Sequence, residues 1–417
     1  MNNLLIRPQR LLKKIGILGS LYVAQFLPIA FFLQTLPAFM RQQGMSVEVI
    51  GLTSFLGLPW MLKFLWSPLV DRYSLAKIGH YKSWIVAMQG LMVLVLILCA
   101  LLNLEAHFWL ALVGMLLIGI FASTQDIAVD ALAIGLLTPQ ERGLGNAIQT
   151  GGNYLGAILG GGVLLVLLGF LGWTGGLLGM AGCVLILIMP VLMHQESCPS
   201  SVSLKAGTHP SGVNPVAEYL RTFTRFCRRP GVGRWLILLL LYASGASMTN
   251  TMFRPLLIDI GLSLSEIGWM YGTAAYSAGL VGAVIGGILI KPLGRKRSLI
   301  LFTLLLAGVT LLHVLPTLGF TSLPMLYFVS SAFNLTYSMM AVALGTLMMD
   351  KTRSEMAGTD YTLQVTLLFI GNMIAAGISG FMASAMGYGG VFVVSGGVTV
   401  VNAIAASRIL NEQPVRP

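Results

Sequence analysis

The sequence predicts an all-α membrane protein of twelve transmembrane helices in two six-helix halves, with both termini cytoplasmic. Three observations carry this. Of the 417 residues 56% are hydrophobic and only 9% charged, with mean hydropathy +0.85. A soluble domain carries about 25% charged residues, so lipid must be this chain's main solvent. Apolar segments of the ~20 residues that cross a bilayer recur twelve times. One long polar stretch, 194–233, separates six of them from six.

The N-terminal half spans 1–193. Its first apolar run, 15–40, is too long for a signal-peptide core and lacks a small-residue cleavage site, so it is read as a retained helix. Spans 47–70, 83–102 and 107–136 follow. Spans 144–170 and 173–193 meet at Gly172-Trp173, a tight turn. The 194–233 linker opens rich in Ser, Pro and Gly and ends in a basic segment. The C-terminal half, 234–417, holds spans 234–257, 265–290, 298–316, 323–349, 361–386 and 389–409, the last two divided at Gly387-Tyr388-Gly389-Gly390.

Charge fixes the orientation. With twelve spans both termini share a side, and that side carries 22 of the 25 Lys and Arg. The opposite side holds only Arg41 and Arg254, and Lys63 alone lies within a span. Excess basic residues mark the cytoplasm. The net charge of +11 therefore orients the chain and does not predict a nucleic-acid surface. Cys99, Cys183, Cys198 and Cys227 form no CxxC, so neither a disulfide framework nor a metal site is expected. There is no GxxxxGK[ST], HExxH or GxSxG, and the five histidines are scattered, so the chain is read as a non-enzyme without cofactor.

The halves echo one another. Span two ends in FLWSPLVDRYSLAKIGHYKSW (64–84) and span eight in GGILIKPLGRKRSLI (286–300), each with a basic turn. TPQERGLGNAIQ (138–149) and KTRSEMAGTDYTLQ (351–364) share Glu, Gly and Gln in order. Two helical repeats around a midplane site are a transporter architecture.

Charges inside lipid cost roughly 2.5–3.5 kcal/mol on insertion scales, so they need a reason. STQDIAVDALA (123–133) carries Asp126 and Asp130, which share a helix face at i and i+4. At 1.5 Å per residue, Asp130 lies roughly 10 Å and Asp126 roughly 16 Å inside the helix end. Lys63, Gln149 and Asn153 reach comparable depth. Two readings stand: a structural ion-pair cluster, with Lys63 on one aspartate and Arg72 reaching the other, or a proton-coupling site. Asp71 is expected to cap a neighbouring helix and serve gating. Arg254 is read as a clamp for an anionic substrate, or as an interfacial residue or partner of Asp259. The midplane candidates for substrate contact are Gln25, Gln34, Tyr242, Ser247, Asn250, Tyr271, Tyr276, Asn334, Tyr337 and Asn372. Gly152, Gly156 and Gly160 have small-xxx-small spacing. Gly282 and Gly286 offer a second stripe, for a sliding contact between halves or for plain tight packing.

KFLWSPLVDRY (63–73), STQDIAVDALA (123–133) and PQERGLGNAIQ (139–149) resemble a branch of the major facilitator superfamily. That branch holds muropeptide permeases, acetyl-CoA transporters and bacterial siderophore permeases of the rhizobactin/pyochelin type. The twelve-span length and GTDYTLQ (358–364) favour the siderophore group. Ala157 stands where superfamily antiporters often carry Pro, which disfavours an exporter. The resemblance implies a monomeric inner-membrane importer of ferric siderophore, working by alternating access and driven by protons. Uptake of a muropeptide, or efflux of an amphiphile, is the alternative. A polytopic enzyme or sensor fits less well, because the linker is too short for a signalling domain and no loop gathers acidic or His residues.

Overall fold

A computed structural model describes residues 2–42, 52–75, 78–103, 106–196 and 215–410. Linker residues 197–214, with Cys198 and Lys205, lie outside the described residues, as do Lys77, the start of the second predicted span and the last seven residues. Every regular element among the described residues is helical. In order they are α1 (Asn2–Ala30), α2 (Leu36–Gln42), α3 (Leu58–Leu62), α4 (Ser67–Arg72), α5 (His80–Ala100), α6 (Phe108–Leu136), α7 (Arg142–Ala157), α8 (Leu164–Leu187) and α9 (Met189–Leu192). Then come α10 (Pro215–Cys227), α11 (Val232–Tyr242), α12 (Ser244–Asp259), α13 (Leu264–Trp269), α14 (Tyr276–Leu293), α15 (Arg295–Leu312), α16 (Val314–Thr317), α17 (Leu323–Lys351) and α18 (Ala357–Ile409). Among the described residues nine helices are long and apolar enough to cross a membrane.

The count differs from the twelve apolar segments for physical reasons. The second segment is a chain of short turns: a 3-10 helix over Leu52–Gly57, then α3, a 3-10 turn over Lys63–Leu65, and α4. Pro59 and Pro68 lie at the starts of α3 and α4, where the missing N–H and the ring prevent one continuous ladder. The predicted turns at Gly172 and Gly387 are abrupt bends inside longer helical runs. Gly172 has φ 67° and Gly387 φ 72°, a backbone open to glycine without penalty. Wide π-turns interrupt three runs, at Phe31–Thr35, Ile158–Val163 and Met270–Ala275. Such bulges concentrate at functional places.

The chain packs into two compact units. The first comprises 1–138, 152–223 and 352–362; the second 139–151, 224–351 and 363–417. In the first, α5 packs along α6 and α8, and α1 along α6, around Phe31, Met92, Met115, Ile118 and Met180. In the second, α17 packs along α14 and α15, around Phe253, Leu257, Met270, Val329 and Phe392.

The glycine stripes serve packing within each unit. Gly152, Gly156 and Gly160 lie against the α1 backbone at Tyr22–Val23, Phe26–Leu27 and Leu27. Gly282 and Gly286 lie against Leu335 and Met339 of α17. α7 and α14 meet through Gly143 on Ile290, Ala147 on Gly287, and Gly151 on Leu280.

One crossing is tighter still. A Cβ on Gly371 would fall inside the contact radius of the Leu240 carbonyl oxygen, with backbone rather than a flexible side chain in the way. Gly371→Val is expected to abolish the monodisperse, detergent-solubilised species seen by size exclusion. Gly377→Val should not, because nothing lies within 4 Å of the Cβ position there.

Candidate functional site: buried ion pair and helix clasps

α6 runs unbroken through STQDIAVDALA, and every residue from Ala122 to Ile134 is buried. Both aspartates therefore leave water and need partners. Lys63 forms an ion pair with Asp126. It reaches the pair because the 3-10 turn at Lys63–Leu65 carries it against α6 with 1% of its side chain exposed. α1 completes the cluster from one face, with Tyr22 and Gln25 at i and i+3. Gln25 Nε2 donates to Asp126 Oδ1 at 2.5 Å, and the Tyr22 hydroxyl donates to Asp130 Oδ1 at 3.0 Å. Gln25 Oε1 is buried with no hydrogen-bond partner. One helical position before Asp126, Gln125 Nε2 donates to Gln89 Oε1 at 3.0 Å, and Gln89 Nε2 donates to the Val184 carbonyl at 2.8 Å. Beside the cluster in sequence, a polar chain thus links α6, α5 and α8.

Two expectations change here. Arg72 does not turn toward Asp130; its Nη2 donates to Thr222 Oγ1 at 3.0 Å on α10. Gln25 serves the ion pair rather than standing open for a substrate. Gln149 and Asn153 are half-buried, and Asn153 Oδ1 is buried without a hydrogen-bond partner. Tyr22, which sequence reasoning missed, lies one turn before Gln25 on the same face. That spacing was the available signal.

Asp71 holds the start of α18. Its Oδ1 accepts from the Gly358 N–H at 3.0 Å, and its Oδ2 from the Thr359 N–H at 2.7 Å and the Thr359 hydroxyl at 2.6 Å. The Tyr81 hydroxyl adds a bond at 3.0 Å. The first N–H groups of a helix have no partner of their own, and negative charge there is favoured by the helix dipole. Beside this cap, Arg353 grips Asp360 with Nε at 2.7 Å and Nη2 at 2.6 Å. Arg353 Nη2 also donates to the Thr222 carbonyl at 3.2 Å. Thr222 therefore receives both Arg72 and Arg353.

The second unit has its own clasp at the start of α7. Arg142 Nη1 donates to Asp350 Oδ1 at 2.9 Å and to the Met349 carbonyl at 3.2 Å. Arg295 lies 2.6 Å from the other Asp350 oxygen, and its Nη2 donates to the Pro139 carbonyl at 2.5 Å. The sequence echo between 138–149 and 351–364 corresponds to a local likeness. A 3-10 turn, Pro139–Glu141 or Ser354–Met356, leads into a helix whose first turn is held by an ion pair. Asp350 and Thr359 went unnoticed in the sequence because their partners lie on other helices.

The remaining candidates divide. Tyr242 is buried, with its hydroxyl 2.7 Å from the Thr303 hydroxyl. Asn334 donates to the Ser330 carbonyl of its own helix at 2.9 Å. Tyr337 stacks on Phe333 at 6.1 Å. Gln34 and Asn250 are exposed. Ser247 donates to the Asn372 carbonyl at 2.7 Å, while Asn372 Oδ1 is buried without a hydrogen-bond partner. Arg254 lies over the Tyr271 ring at 4.6 Å, and Asp259 accepts from the Tyr388 hydroxyl at 2.6 Å, so the expected Arg254–Asp259 pairing is replaced. His313 is enclosed by Phe253, Phe333 and Phe392 at 4.5–5.5 Å. Among the described residues no group of three or more His, Cys, Asp or Glu is placed to hold a metal ion.

Comparison with known proteins accords with this architecture. The chain is 30% identical over 392 residues to the anhydromuropeptide permease of Escherichia coli K12, covering 91% of this chain and 76% of that one. The solved structure of the human organic anion transporter MFSD10 superposes with TM-score 0.73 at 16% identity, over 95% of this chain and 99% of that one. The Escherichia coli fucose:proton symporter FucP superposes at 0.66 and 14%, over 95% and 98%. These relatives are permeases and transporters, not enzymes. Residues 18–363 and 235–417 match the family described as Major Facilitator Superfamily, and the chain belongs to it as a multi-pass membrane transporter.

Proposed function

We propose that this protein is a bacterial inner-membrane permease for cell-wall fragments of the muropeptide type. It works by alternating access between two six-helix halves (1–193 and 234–417), joined by the 194–233 linker, with twelve spans and both termini cytoplasmic. The single observation that carries the cargo is the 30% identity to an anhydromuropeptide permease over 91% of the chain. That likeness favours a muropeptide over the ferric siderophore expected from chain length and GTDYTLQ. The buried cluster supports ion coupling. Lys63 balances one of the two carboxylates on α6, and a proton on the pair would neutralise the other before the site turns through lipid. One charge crossing 100 mV is worth roughly 2.3 kcal/mol, enough to sustain accumulation. Asp71, Thr359, Arg142 and Asp350 are assigned to gating.

The test is uptake by proteoliposomes carrying the purified chain, with an inward proton gradient. Radiolabelled anhydromuropeptide should accumulate, and a protonophore should abolish the accumulation. Uptake of a ferric siderophore in place of the muropeptide would assign the cargo to the siderophore class instead.

A further inference from the structure

On α12, Ser247, Asn250 and Arg254 fall at i, i+3 and i+7, one stripe of a helix. The opposite face is apolar and buried, through Met248, Met252, Phe253, Leu256 and Leu257. Asn250 and Arg254 are exposed and Ser247 is half-buried. From Ser298 onward the exposed residues of α15 are Leu301, Leu304, Leu305, Gly308 and Leu311, an apolar face of the kind that suits lipid. An exposed amide and guanidinium belong on a water-lined path.

The guanidinium is positioned without being neutralised. It sits 4.6 Å from the Tyr271 ring centroid, and Tyr271 is buried in the π-turn Met270–Ala275 beside Tyr276, at 6.3 Å. A ring face holds a cation by its quadrupole, the Tyr271 and Tyr276 phenols accept hydrogen bonds from the guanidinium, and the rest of its five N–H donors are left for a ligand. The acid nearest along the helix, Asp259, is engaged by Tyr388. Among the described residues Arg254 forms no ion pair with a carboxylate.

We propose that Arg254, backed by Tyr271 and flanked by Asn250, is the subsite that binds a carboxylate of the cargo. The proposal rests on the cell-wall reading, since muropeptides carry carboxyl groups. The rigid fork of donors matches a carboxylate two bonds at a time, and the Asn250 amide one turn away adds a third donor.

The experiment measures binding to the full chain in nanodiscs. The ligands are an anhydromuropeptide with free carboxyls and the same molecule with every carboxyl converted to carboxamide. Wild type should prefer the acid by about 10- to 100-fold, the range for charge-assisted hydrogen bonds. Arg254→Gln should bring the acid down to the carboxamide's affinity and leave the carboxamide unchanged. Arg254→Lys should fall between. Equal weakening of both ligands, or an acid preference that survives Arg254→Gln, overturns the subsite while leaving the cargo intact. If wild type binds neither form, the cell-wall reading fails. The subsite is then judged with a dansylated acidic dipeptide and its carboxamide on the same three proteins. An Arg254-dependent acid preference there sustains it, and none overturns it.

Discussion

Replacing Asp126 by Asn is expected to abolish accumulation of cargo against a gradient while leaving exchange of cargo measurable. It should also destabilise the protein. The Asn takes from the buried Lys63 ammonium its direct partner and leaves Asp130 as the remaining carboxylate of the cluster, and breaking one side of a buried pair costs up to about 3–5 kcal/mol. The two effects separate in a double variant. Lys63→Met with Asp126→Leu removes both charges and should recover most of the thermal stability, because buried pairs are often replaceable by apolar residues of similar volume. It should not recover accumulation. Melting temperature in detergent and counterflow in proteoliposomes read the two separately. Recovery of accumulation in the double variant would assign the pair to architecture alone. Asp130→Asn keeps the Lys63–Asp126 pair and retains an acceptor for Tyr22. Its fall in stability should be smaller, and its effect on accumulation shows whether the second carboxylate takes part in coupling.

Asp71→Ala is expected to lower stability by about 2–8 kcal/mol. It strips the Gly358 and Thr359 N–H groups of their acceptor in a buried place, at about 1–3 kcal/mol for each unsatisfied group. It also removes negative charge from a helix start, worth up to about 2 kcal/mol when partly buried. Asp71→Asn keeps one acceptor oxygen and should lose about half as much. Gly358→Ala should resemble Asp71→Ala by another route, since its Cβ would stand 2.9 Å from Asp71 Oδ1 and 2.8 Å from Ile127 Cγ2. If this clasp belongs to the gate, Asp71→Ala lets cargo equilibrate across the membrane without accumulating. A variant that melts early but still accumulates cargo would limit Asp71 to a structural cap.

The helical class and the extent of the apolar segments were legible in the sequence, because hydropathy and length are properties of consecutive residues. So was the meeting of Lys63 with one of the two aspartates, though not which one, since depth can be counted along each helix. What sequence reading missed depends on rotation about helix axes. Tyr22 rather than Arg72 reaches Asp130, and Tyr388 rather than Arg254 meets Asp259. Neither choice is encoded at short range. The glycine stripe on α7 showed that something approaches closely, but α1 and α14 are equally plausible neighbours until the packing is known. The short turns of the second segment were signalled by Pro59 and Pro68, and hydropathy alone hid them. The choice between muropeptide and siderophore rested on overall length and one heptapeptide, features that carry little about what a binding site touches.

The bond between Asp71 and Gly358 joins residues 287 positions apart. At about 5–20 residues per second on the ribosome, roughly 15 to 60 s separate the synthesis of the carboxylate from that of its partner. Throughout that interval the first unit lacks residues 352–362 and has an empty seat at Asp71. An incomplete first unit is therefore expected to open more readily to proteolysis than the finished one. Slowing elongation downstream of residue 223 should raise its degradation, even though every apolar segment of that half has already been made.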